Sequence, residues 1–91
     1  MEVEWDPRKA ARNLAKHGVG FDQACAVFGD PLATTVGNPD RDPEEASFLT
    51  TGASDRSRIL PVGHVDRGAA VRVVGARVAT GRERRTYESG D

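Results

Sequence analysis

Apolar positions fall at helical spacing in the first third of the chain and in short alternating or continuous runs over the rest. Ala10, Asn13, Leu14 and His17 share one face of a helix predicted over Pro7–His17. Asp6 suits its N-cap, Pro7 its first turn and Gly18 its left-handed C-terminal cap. Arg8, Arg12 and Lys16 recur every four residues as a basic stripe, read here as solvated surface. A second helix is expected over Phe21–Phe28, with Phe21, Ala24, Cys25 and Phe28 inward, ended by Gly29-Asp30-Pro31.

Short strands are predicted at Val3–Trp5, Leu32–Val36, Ser47–Ala53, Arg58–Val65 and Ala70–Val78. Gly37 to Pro43 is a polar, proline-rich loop whose acidic tip runs on to Glu45. Ser54 to Ser57 is a turn, and Asp66 to Ala69 is a hairpin turn with Gly68 suited to positive φ. Pro61 within a strand suggests a bulge or an edge. Thr80-Gly81-Arg82-Glu83 matches a capping box and opens a charged C-terminal helix to about Glu88, which should be mobile or held by a partner. The order β-α-α-β-β-β-β-α predicts one α+β domain over residues 1–91: a small antiparallel sheet, two N-terminal helices on one face and a short C-terminal helix.

Composition narrows the classes. Cys25 is the only cysteine, so no internal disulfide forms, and it reads as a small buried hydrophobe. No apolar run approaches the ~20 residues of a membrane span. The acidic N-terminus has no signal-peptide core, which places the chain in the cytoplasm, away from membranes. Net charge is −1 but unevenly spread: residues 21–55 carry one basic and seven acidic groups, residues 56–91 eight basic and four acidic. A basic face and an acidic face are expected.

The last third holds the candidate chemistry. Arg72, Arg77, Arg82, Arg84 and Arg85 lie on or just after the final strand, with His64 before them and Glu83 and Tyr87 among them. Guanidiniums suit phosphate oxygens, and His, Glu and Tyr can move protons. A turn at Arg67-Gly68 would put Arg58, His64 and Arg77 on one sheet face and Arg72 on the other, unless a bulge near Gly75 reverses the alternation. Each residue also has a structural reading. His64 suits a hydrogen-bonded, half-buried ring; Arg77 an ion pair; Glu83 the capping box; Tyr87 a helix anchor. His17 and Trp5 read as structural. No metal-ligand spacing, cofactor motif or phosphate-cradling loop is present.

Glu4-Trp5-Asp6-Pro7-Arg8-Lys9-Ala10, Asn13-Leu14, Lys16-His17-Gly18-Val19, Phe21 and Val27 to Pro31 together resemble the BrnT family. So do Val71 to Thr80, Glu83-Arg84 and Tyr87. The resemblance spans nearly the whole chain. It implies a RelE-like fold and a type II toxin that cleaves RNA without a metal and arrests growth. The implied partner is an antitoxin, BrnA, with a ribbon-helix-helix domain, so that operator DNA is met only through the antitoxin. On that reading His64, Arg77, Arg72, Glu83 and Tyr87 are the catalytic candidates, and Arg58, Arg82, Arg84 and Arg85 contact RNA. Gly75, Val78 and Ser47 replace the serine, lysine and arginine common in the family, and Pro61 and Gly63 interrupt a strand usually rich in valine. Those departures leave open a non-catalytic antitoxin-binding co-repressor. A DNA-contacting regulator ranks last, because no recognition helix is evident.

Overall fold

A computed structural model describes residues 2–37, 47–55 and 57–90. The acidic loop tip expected before Ser47 lies outside the described residues. The elements are β1 (Glu2–Glu4), α1 (Pro7–His17), α2 (Phe21–Val27), β2 (Thr34–Gly37), β3 (Ser47–Ala53), β4 (Ile59–Arg67), β5 (Ala70–Ala76) and α3 (Gly81–Ser89).

Local signals act where they stand. The Asp6 side chain accepts the Arg8 N–H, Pro7 opens α1, and Gly18 closes it at φ +70°. Thr80 and Glu83 exchange both bonds of the capping box.

The five strands form one mixed sheet in the order β1-β5-β4-β3-β2. Strands β2 to β5 are antiparallel, but β1 runs parallel to β5, which corrects the purely antiparallel sheet expected from sequence. Hairpin connections force reversal between β3, β4 and β5. No hairpin joins β1 to β5, so its direction is free.

Register differs from the expected one as well. Arg67 pairs with Ala70, so the turn is Gly68-Ala69, with Gly68 at φ +61°. Gly63 faces Gly75 while His64 faces Val73, leaving Val74 as an extra residue in β5. This is the bulge, beside Gly75. Pro61 is neither at it nor on an edge strand. Its carbonyl accepts from Arg77, just past the end of β5, so its missing N–H forfeits a bond only where the ladder stops.

One sheet face carries the core. Phe21, Ala24 and Val27 of α2 pack on Leu60, Val62, Val73 and Ala76, with Trp5 meeting Phe21 edge-on. Helix α1 buries no residue fully, and Leu14, expected inward, is 54% exposed. The helix is instead fastened by Asn13. Its amide donates to the carbonyls of Val19 and Ala76 and accepts from the Ala76 N–H. A side chain thus completes the β5 edge that β1, paired only with Ala70 to Arg72, leaves uncovered. Cys25 is half-buried rather than fully enclosed.

Candidate nucleic-acid interface

The bulge decides which groups share a face. Val73 and Ala76 both point into the core, so Arg72 and Arg77, on either side of them, both point away from it. His64 and Arg58 go the other way. Arg58 hydrogen-bonds Gln23 of α2, and His64 packs beneath Phe28. The face shared by Arg58, His64 and Arg77 in the sequence reading is therefore not formed. The later turn moves each cross-strand partner by two residues and keeps the faces, so it is the bulge alone that reverses the end of β5.

His64 is 5% exposed. Its ring stacks on Phe48 and meets Phe28 edge-on, and its Nε2 lies 2.8 Å from Thr50 Oγ1, itself 2.7 Å from Thr35 Oγ1. Among the described residues Nδ1 finds no hydrogen bond, with an Asp66 oxygen 3.8 Å away. Burial pushes the imidazole below its ordinary 6.5, and Asp66 opposes this in part. The unfolded chain therefore takes up the proton first. The stability held in the neutral ring is complete above about pH 6.5 and is lost as pH falls below it through the lower folded value. Urea unfolding at pH 7.5 and 5.5 checks this: the wild type should lose more stability than His64→Gln.

Arg72 and Arg77 each meet an acid of their own fold. Arg72 Nε lies 3.6 Å from Glu4 across the β1–β5 pair. Arg77 donates two bonds to Glu83, at 2.6 and 2.9 Å. That fork, with the capping bond from Thr80, holds the Glu83 carboxyl at about 2, so it carries no proton to donate at neutral pH. Tyr87 donates its hydroxyl proton to Asp30, which also accepts from Ala53 and Leu32. The bond to Asp30, with burial and the carboxylate charge adding to it, raises the Tyr87 pKa. Helix α3 is thus tied to its own chain at Glu83 and Tyr87, not left without attachment as the sequence suggested. Arg82, Arg84 and Arg85 are exposed on it, and Arg84 lies 3.8 Å from Glu88.

The structure assembles a different cationic surface. A groove of about 430 Å³ runs between α1 and the uncovered part of β5. Lys9, Arg12, Lys16 and His17 form one wall, Val74 and Gly75 the other. It adjoins a second groove of about 190 Å³, which also contains His17 and Gly75 and continues over Pro61 and Gly63 to Arg77. Arg12 and Lys16 have no carboxylate partner among the described residues, so their charge is available to an anion. Arg77 spends two of its five N–H donors on Glu83, and its side chain is 41% exposed. No group of three His, Cys, Asp or Glu gathers as metal ligands among the described residues, and no helix there is long and apolar enough to cross a membrane.

Lys9, Arg12, Lys16 and His17 were not singled out as site residues from sequence. The signal was present as spacing: residues 9, 12, 16 and 17 share a helical face with Asn13. A polar Asn on the face expected to be apolar indicated that this face meets a strand edge, not a greasy core.

Comparison with known proteins agrees with this architecture. Residues 5–83 match the model of a family described as ribonuclease toxin, BrnT, of type II toxin–antitoxin system. The crystal structure of the Brucella abortus ribonuclease toxin BrnT superposes with a TM-score of 0.69 at 23% identity, covering 88% of this chain and 97% of that one. That likeness is one of fold. No curated protein sequence matches the chain.

Proposed function

Because the chain belongs to the BrnT family of ribonuclease toxins of type II toxin–antitoxin systems, we propose that it is a cytoplasmic endoribonuclease that cuts RNA without a metal, arrests growth and is neutralised by a BrnA-like ribbon-helix-helix antitoxin. Operator DNA is then contacted only through that antitoxin. The observation that carries this reading is the pair of adjoining grooves joining Arg77 to the cations of α1. A phosphodiester lying there meets guanidinium and ammonium groups but no carboxylate wall.

The reaction is transesterification. The ribose 2′-oxygen loses its proton and attacks the adjacent phosphorus. The P–O5′ bond breaks, leaving a 2′,3′-cyclic phosphate and a protonated 5′-hydroxyl. Charge gathers on the non-bridging oxygens, where Arg77 supplies fixed donors oriented by Glu83. His64 is too deeply enclosed on the opposite face to reach this phosphate, and Arg72 is engaged near Glu4.

Two measurements test the proposal. Expression without an antitoxin should arrest bacterial growth. The purified protein should cut RNA in excess chelator, with activity falling as salt rises, because phosphate contacts release counterions. Normal growth at high levels of folded protein would favour the co-repressor reading, and cleavage that requires Mg²⁺ would contradict metal independence.

A further inference from the structure

The reaction needs a base for the 2′-hydroxyl, and the ring first expected to serve is enclosed in the core. His17 is exposed at the last turn of α1 and lines both grooves at their junction. Lys9, Arg12 and Lys16 precede it at three- and four-residue intervals along one wall, so their charges point the same way over about two helical turns. Opposite them, Gly75 presents bare backbone. A Cβ there would meet nothing closer than the Asn13 amide oxygen at 3.9 Å. The passage between the grooves is therefore open for want of a side chain, not because backbone strain requires glycine.

We infer that the sugar–phosphate chain of the RNA crosses the β5 edge over Gly75, with Lys9, Arg12 and Lys16 gripping phosphates along α1, Arg77 at the scissile phosphate, and His17 between them as the base. The inference rests on the ribonuclease reading above and names its substrate track and proton acceptor. The neutral imidazole takes the 2′-hydroxyl proton as the 2′-O–P bond forms and the P–O5′ bond breaks. The departing O5′ is protonated from water, and the imidazolium later returns its proton to solvent. A surface imidazole at the end of the helix has few intramolecular duties, so its replacement should spare the fold.

The test uses the full chain, a cleavable RNA oligonucleotide and its fully 2′-O-methylated analogue, which binds but cannot react. His17→Ala should keep affinity for the analogue within about twofold while cleavage falls about 10²-fold or more, and added imidazole should restore part of the rate. Arg12→Gln combined with Lys16→Gln should weaken analogue binding and flatten its log–log salt dependence by about 1.4, the share of two phosphate contacts on a single strand. Gly75→Leu, at a position where the backbone leaves room for a Cβ, should obstruct both binding and cleavage. Cleavage unchanged in His17→Ala overturns the base. An unchanged salt slope in the double variant overturns the track, and does so equally if that variant instead loses only its grip on an antitoxin. A wild type that binds the analogue but cuts no RNA overturns the enzymatic reading and the base with it, and leaves the salt slope to decide the track.

Discussion

Asn13→Ala will lower the free energy of unfolding by about 2–4 kcal/mol, with little change in the shape of the native sheet. The side chain makes three hydrogen bonds, two of them to the backbone of Ala76. Each is worth about 1 kcal/mol net, and a partly buried backbone group left without a partner costs more. The loss exceeds that of an ordinary surface polar residue because the amide stands in for a strand at an otherwise open edge. Urea denaturation at neutral pH measures it, and Asn13→Asp provides the control. Aspartate keeps the acceptor for the Ala76 N–H but turns the donor side into a second acceptor facing two carbonyls. It should be at least as damaging as alanine.

Arg77→Ala will reduce RNA cleavage by about 10²-fold, the loss of one oriented donor at a developing anion, and should relieve growth arrest. The variant also deprives Glu83 of its partner, so activity and stability must be read together. Glu83→Gln separates them, since it removes the ion pair but leaves the guanidinium. The Glu83 carboxyl falls from 4.5 to about 2 on folding. By linkage that is roughly 3 kcal/mol, reduced to about 1–2 kcal/mol because the pair is partly open to water. This contribution is whole above about pH 4.5 and disappears as pH falls towards 2. Thermal melts should therefore show Glu83→Gln destabilised at pH 7 and converging with wild type near pH 2. At neutral pH this variant should retain cleavage far better than Arg77→Ala. Equal losses of cleavage in the two would make Arg77 a clasp for α3 and not a phosphate ligand.

The parts of this fold that could be read from sequence are those specified by neighbours along the chain. Asp6-Pro7, Gly18 and the Thr80–Glu83 box each place a helix end through bonds spanning a few residues. A bulge near Gly75 was visible as the condition for uniting Arg72 and Arg77. What was not legible depends on partners far apart in sequence. Gly68 announces a hairpin, but whether the second turn residue precedes or follows it changes every cross-strand pair. The faces survive that shift, because each partner moves by two residues, and it is the extra Val74 that separates Arg77 from His64. The family motif supplied Lys16-His17-Gly18 as a string of letters, and helical periodicity showed that its cations share a side. Only the packing of α1 across the edge of β5 shows that this side overlooks a groove. The charged C-terminal helix misled for the opposite reason. Its attachment rests on two polar clasps, Glu83 to Arg77 and Tyr87 to Asp30, and not on an apolar stripe.

The unpaired Val74 bears on how this strand can evolve. At the present length, strict alternation without the bulge would turn the tail of β5 over. A guanidinium would be driven into the hydrocarbon interior while an alanine took its place at the phosphate. The bulge is therefore what keeps Arg77 outward at this length, and a strand one residue shorter in this stretch would reach the same facing with no bulge at all.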